Sequence, residues 1–91
     1  MDINVSELGG DTFRVAVSDG GSATTHDVTV TALAVSQFGG GSSAEQLVRA
    51  SFALLLDREP KESILARFDL PVIGRYFPDY EWKIGRYLER S

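Results

Sequence analysis

Between residues 1 and 31 apolar and polar positions alternate with a period of two, in three short runs. Ile3 and Val5 share one side of the first run, and Phe13, Val15 and Val17 share one side of the second. Val28 and Val30 do so in the third, with Thr25, Asp27, Thr29 and Thr31 opposite. Such alternation marks half-buried strands, whose successive side chains point to opposite faces. Gly9-Gly10-Asp11 separates the first two runs and Asp19-Gly20-Gly21-Ser22 the next two. Short glycine-bearing links of this kind suit hairpins and hence antiparallel pairing. The pattern predicts a three-stranded β-meander with the second strand central, one wet face, and an apolar face that needs a helical cover.

From residue 32 the periodicity turns helical. Ala32 to Phe38 reads as one helical turn, and Gly39-Gly40-Gly41 as a link. Ser42 with Glu45, or Ser43 with Gln46, has the spacing in which two side chains reciprocally satisfy helix N-terminal amides. A central helix is therefore predicted over 44–57. Leu47, Val48, Phe52, Leu54, Leu55 and Leu56 make it apolar over more than a narrow stripe. Pro60 then opens a short helix to about Phe68, with Ile64, Leu65 and Phe68 as its apolar face. Asp69 caps another that runs through Val72, Ile73, Tyr76 and Phe77 until Pro78 breaks it. Tyr80, Ile84, Tyr87 and Leu88 predict a last helix to about Arg90, weakened at Gly85. Strands followed by helices give an α+β fold in a single domain over 1–91. Its parts are a meander over 1–32, a Gly/Ser-rich connection over 33–43, and a helical half over 44–91 that supplies the central helix and a C-terminal set of short helices.

Composition narrows the chemistry. The chain has 91 residues and no cysteine, which excludes disulfides, thiolate metal sites and a cysteine nucleophile. His26 is the only histidine, so a two-histidine metal site within one chain is excluded. No G-x-S-x-G elbow occurs, and the carboxylates form no tight ligand cluster. No cofactor, metal or catalytic residue is therefore assigned. The net charge of −4 resides in the first 41 residues, where five acids face Arg14 alone. The remainder is balanced, so neither part offers the basic surface that holds phosphates, which argues against nucleic acid as a partner. Met-Asp-Ile-Asn offers no basic leader segment and no apolar run approaches the ~18 residues needed to span a bilayer. The expectation is a cytoplasmic protein with no membrane partner.

Individual residues carry the remaining information. His26 shares the apolar side of its strand with Val28 and Val30, while Asp27 points to the other side, which argues against a direct dyad between the two. A partly buried histidine at the sheet edge with a backbone partner is expected, with a catalytic or pH-sensing role for His26, or ligand binding by His26 and Arg14, as the alternative. Gly39 to Ser43 before a helix only loosely resembles an anion cradle, because no lysine follows. Glu59, Glu62 and Asp69 read as caps and surface charges. Arg49, Arg58, Arg67, Arg75, Arg86 and Arg90 recur through the helical half, mostly near acids. Five aromatics fall within the fifteen residues from Phe68 to Trp82. From this stretch and the residues just after it, Arg75, Tyr76, Tyr80, Trp82, Arg86 and Tyr87 emerge as a candidate interaction surface, with core packing as the competing use.

The string Arg49-Ala50-Ser51-Phe52, with Leu54-Leu55-Leu56-Asp57-Arg58-Glu59-Pro60-Lys61-Glu62-Ser63-Ile64-Leu65, then Phe68-Asp69-Leu70-Pro71-Val72-Ile73 and Tyr76-Phe77-Pro78-Asp79-Tyr80-Glu81, resembles a group of short uncharacterised bacterial proteins. The resemblance spans residues 26 to 81 and implies no activity, cofactor or site residue.

The reading by elimination is a small non-enzymatic protein-interaction or regulatory module with a protein partner or a homodimer. Its alternative is a small-ligand binder or minor enzyme with a pocket between sheet and helices, on which His26, Arg14 or Tyr76 would converge. A basic protein partner steered by the acidic N-terminal part is a third.

Overall fold

The structure, a computed structural model, describes residues 1–90. Its first three strands are β1 (Asp2–Gly9), β2 (Thr12–Asp19) and β3 (Ser22–Thr29), joined as two antiparallel hairpins. Val5 stands opposite Val15, and Val15 opposite His26, so the apolar positions line up on one face. Phe13, Val15, Val17, His26 and Val28 are buried there. The β1–β2 turn takes three consecutive positive φ angles, at Gly9, Gly10 and Asp11, with a bulge between Glu7 and Gly9. Glycine costs nothing sterically in that conformation, and Asp is one of the few other residues to tolerate it.

A fourth strand enlarges the meander. β4 (Arg67–Asp69) runs parallel to β3, with Asp27 facing Arg67, Val28 facing Phe68 and Thr29 facing Asp69. The sheet order is β1-β2-β3-β4, so β2 and β3 share the centre. This corrects two expectations, a three-stranded sheet and a helix from Pro60 to Phe68. Only Lys61–Ser63 forms a turn of 3-10 helix there, and Ile64 is already extended. A nine-residue helix is marginal in water. The backbone bonds it would have made are made with β3 instead: Asp27 N–H donates to the Ala66 carbonyl at 2.8 Å, and His26 Nδ1 lies 2.8 Å from the Leu65 carbonyl.

The helices lie against the apolar face. α1 (Ala32–Phe38) is capped by the Thr31 hydroxyl, which accepts from the Ala34 N–H. It closes at Gly39, where a Cβ would stand 2.5 Å from the Val35 carbonyl oxygen, an approach that only glycine allows. α2 (Ala44–Leu56) starts with the Ser43–Gln46 pair, both reciprocal bonds being made at 3.1 and 2.9 Å. It buries Leu47, Val48, Ala50, Ser51, Phe52, Leu54 and Leu55, each large side chain contributing roughly 1.5–3 kcal/mol. Leu70–Val72 is a second 3-10 turn leading into α3 (Ile73–Tyr76), shorter than predicted, and the Asp69 side chain makes no cap bond. α4 (Tyr80–Arg90) docks on α2 through Tyr80 and Ile84. Among the described residues no helix is long and apolar enough to cross a membrane.

Candidate functional site

The six residues expected to form one interaction surface fall into different environments. Tyr80 is fully buried: its ring meets Phe38 edge-on at 5.2 Å and its hydroxyl lies 2.7 Å from the Ser51 hydroxyl. Burial pushes its pKa up to about 12, against a smaller opposing effect of the Ser51 bond. Tyr80 precedes Ile84 by four residues and so shares the inward stripe of α4, which removes it from any surface. Tyr87 is half-buried and its hydroxyl donates to Asp57 at 2.6 Å. Trp82, 79% exposed, and Arg86 occupy the outward stripe of α4, while Arg75 and the 66% exposed Tyr76 lie on α3.

His26 and Arg14 do not converge either. Arg14 faces away from the core and forms a two-pronged pair with Asp27 at 3.0 and 3.3 Å. That bond raises the Arg14 pKa and, with Arg67 helping from β4, holds the Asp27 carboxyl below its usual range. His26 is buried on the opposite face, its ring 5.4 Å from that of Phe52. A carbonyl only accepts, so Nδ1 carries the proton toward Leu65, and in the neutral ring Nε2 accepts from the Thr24 hydroxyl at 2.8 Å. The backbone partner is as expected from the sequence, but β4 lies beyond β3, so the position is not an edge. With both nitrogens engaged, the histidine fastens residues 65–66 to the sheet.

That fastening helps to build a cleft. After α2 ends, the N–H groups of Arg58 and Glu59 both donate to the Leu55 carbonyl, and the chain wraps round the end of the helix. The wrap closes where Arg58 grips Asp79 with two bonds of 2.6 and 2.8 Å, its guanidinium 5.2 Å above the Phe77 ring. This pairing holds Asp79 below the usual carboxylate range and raises Arg58. Between α2, β4 and α3 the wrap leaves a cleft of about 130 Å³. Leu55, Ile64 and Ile73 are its buried lining, Phe68, Val72 and Phe77 its half-buried lining. Leu65, 44% exposed, and Tyr76 stand at its mouth with Ser63 and Glu59.

Glu59 is the one charged residue of this lining, and its carboxylate makes no hydrogen bond or ion pair among the described residues. Of the candidate site residues named from the sequence, only Tyr76 reaches the cleft, and Arg14 and His26 do not line it; Glu59, expected to be a cap or surface charge, does. The sequence reading missed Glu59, Leu65 and Phe68 as site residues. The available signal was Pro60, Pro71 and Pro78 punctuating an aromatic-rich stretch, which favours short elements wrapped round a neighbour over long helices. Glu62 is a surface charge as expected, paired at 2.7 Å with Lys61, whose stem is buried. No group of three or more His, Asp or Glu side chains among the described residues is placed to hold a metal ion. The start of α2 is occupied by its own Ser43–Gln46 cap. No known protein family, curated protein or solved structure matches the chain.

Proposed function

We propose that the chain is a small non-enzymatic protein-interaction or regulatory module that grips one apolar side chain of a partner in the cleft between α2, β4 and α3. The observation that carries this reading is the size and lining of the cleft. At about 130 Å³ it is near the ~150 Å³ that accommodates a benzene ring and well below the ~300–1,000 Å³ of small-molecule sites. An apolar recess of one-side-chain size, with exposed Leu65 and Tyr76 at its mouth, has the form of a hot-spot pocket. The partner is a cytoplasmic protein or a second copy of this chain.

The test is affinity capture from native lysate, with the mass of the eluted complex read by light scattering. The wild type should bring down a stoichiometric partner or elute as a dimer, and a folded Leu65→Asp/Tyr76→Asp variant should elute alone. Retention of the partner by that variant, or a bare wild-type monomer, would overturn the reading.

A wider hollow of about 540 Å³, between the start of β1 and Arg49, Ala50, Ala53 and Tyr87, supports the alternative of a small-ligand binder. Arg49, which bonds the Ile3 carbonyl at 2.7 Å, lines it. A metabolite screen by thermal shift, repeated on Arg49→Ala, decides that alternative.

A further inference from the structure

The chemistry of the cleft mouth specifies the partner more closely, on the reading that the cleft docks a protein. Its one charged group is the half-buried Glu59 carboxylate. The cations next to it in the chain are both committed elsewhere, Arg58 to the two oxygens of Asp79 and Lys61 to Glu62. Among the described residues the Glu59 carboxylate is therefore left without an ion-pair partner at the rim of an apolar recess. A purely apolar partner seated there would strip water from that carboxylate and give nothing back, a desolvation cost with no compensating bond. A partner carboxylate would add repulsion to the same cost. A partner ammonium or guanidinium would turn the cost into a charge-assisted hydrogen bond, with the Ser63 and Tyr76 hydroxyls available as further polar contacts.

We infer that the cleft recognises a partner segment in which an aromatic or branched aliphatic side chain is flanked by Lys or Arg, the apolar group filling the recess and the cation pairing with Glu59. Specificity here is a difference between affinities, set by the cation the site rewards and the anion it repels.

The experiment is an amide NMR titration of the intact chain with three blocked tetrapeptides at millimolar concentration, identical except that Phe is followed by Lys, Gln or Glu. The Lys peptide should shift the amides of residues 59, 63–65 and 72–77. It should bind about threefold more tightly than the Gln peptide, a margin typical of one exposed ion pair, and the Glu peptide should bind more weakly still. The margin should shrink in high salt. Glu59→Gln, with its melting temperature unchanged, should bring the three peptides within twofold of one another, and Glu59→Lys should reverse their order. A Lys preference that survives Glu59→Gln, or a Glu peptide that binds as tightly as the Lys peptide, overturns the inference. Equal binding of all three at the cleft removes the charge selectivity but leaves the docking reading standing. Absence of cleft shifts with any peptide overturns both.

Discussion

The meander of residues 2–29 and the wrap of residues 57–79 are built in opposite ways. In the meander each strand finds its partner across a turn, and an alternating pattern decides which side chains go inward. In the wrap the conformation is decided from far away: the Leu65 carbonyl is taken by His26, 39 positions earlier, and the ends are joined by Arg58 and Asp79, 21 apart. The meander therefore presents a regular polar row, Ser6, Arg14 and Asp27, across its outer face, which Arg67 of β4 extends. The wrap, free of any repeating pattern, leaves the recess that can receive a partner.

The largest expected effect comes from removing the side chain that joins the two regions. The Phe52 ring lies 5.4 Å from that of His26 and 6.1 Å from that of Phe68. Phe52→Ala should cost roughly 3–5 kcal/mol in urea unfolding, a large share of the stability of a small domain. A loss below about 1 kcal/mol would show that the wrap is held without it. Next comes Tyr80→Phe, which leaves the fully buried Ser51 hydroxyl without its partner and should cost about 1–3 kcal/mol. Adding Ser51→Ala should recover most of the loss, because replacing both partners removes the unsatisfied group. Tyr80 also sets an alkaline limit. Its raised pKa means that stability is fully present below pH ~10 and is lost as the pH climbs toward about 12, a dependence the Phe variant should lack.

His26→Leu separates the two regions most sharply. It strips the Leu65 carbonyl of its donor, for about 1–2 kcal/mol, and should speed hydrogen exchange at residues 64–69 while leaving β2 protected. Equal loss of protection in both would mean that sheet and wrap unfold as one unit. A smaller effect follows from the depressed carboxylates, Asp27 on the sheet and Asp79 at the close of the wrap. Their stabilisation is present above the ordinary carboxylate pKa of ~4 and is lost as the pH falls through their lower folded values. The melting temperature should therefore drop in acid, less steeply for Asp27→Asn/Asp79→Asn, and Asp79→Asn alone should loosen the cleft. Trp82→Ala should change stability by no more than about 0.5 kcal/mol, since the ring is exposed, so any loss of association in that variant reports an interface.

Much of the scaffold was legible because its signals are local. Phe13, Val15 and Val17 alternate, glycines mark both hairpins, and Ser43 with Gln46 announces α2. The stripe of Tyr80, Ile84, Tyr87 and Leu88 also announced α4, and it already implied the burial of Tyr80. Assigning Tyr80 to a surface put the aromatic density of residues 68–82 ahead of the helical period, and the period was the better guide. β4 was not legible, because three residues, Arg67-Phe68-Asp69, are too few to show alternation, and the apolar spacing of Ile64, Leu65 and Phe68 suits a helix as well. The cleft was hidden for the same reason: its lining is gathered from α2, two turns, a strand and α3.

The sequence by itself determined the α+β class, the faces of the first three strands, the boundaries of α2, the inward stripe of α4 and the absence of thiol chemistry. Each follows from short-range periodicity, capping or composition. The tertiary structure alone decided that residues 64–69 extend along β3, that Arg58 and Lys61 are spent on Asp79 and Glu62, and that Glu59 is left, among the described residues, without an ion-pair partner at the mouth of an apolar recess. Those outcomes depend on which backbone and ionic groups meet in space, and a carbonyl or carboxylate takes the partner that the packed chain brings to it, however far away in sequence.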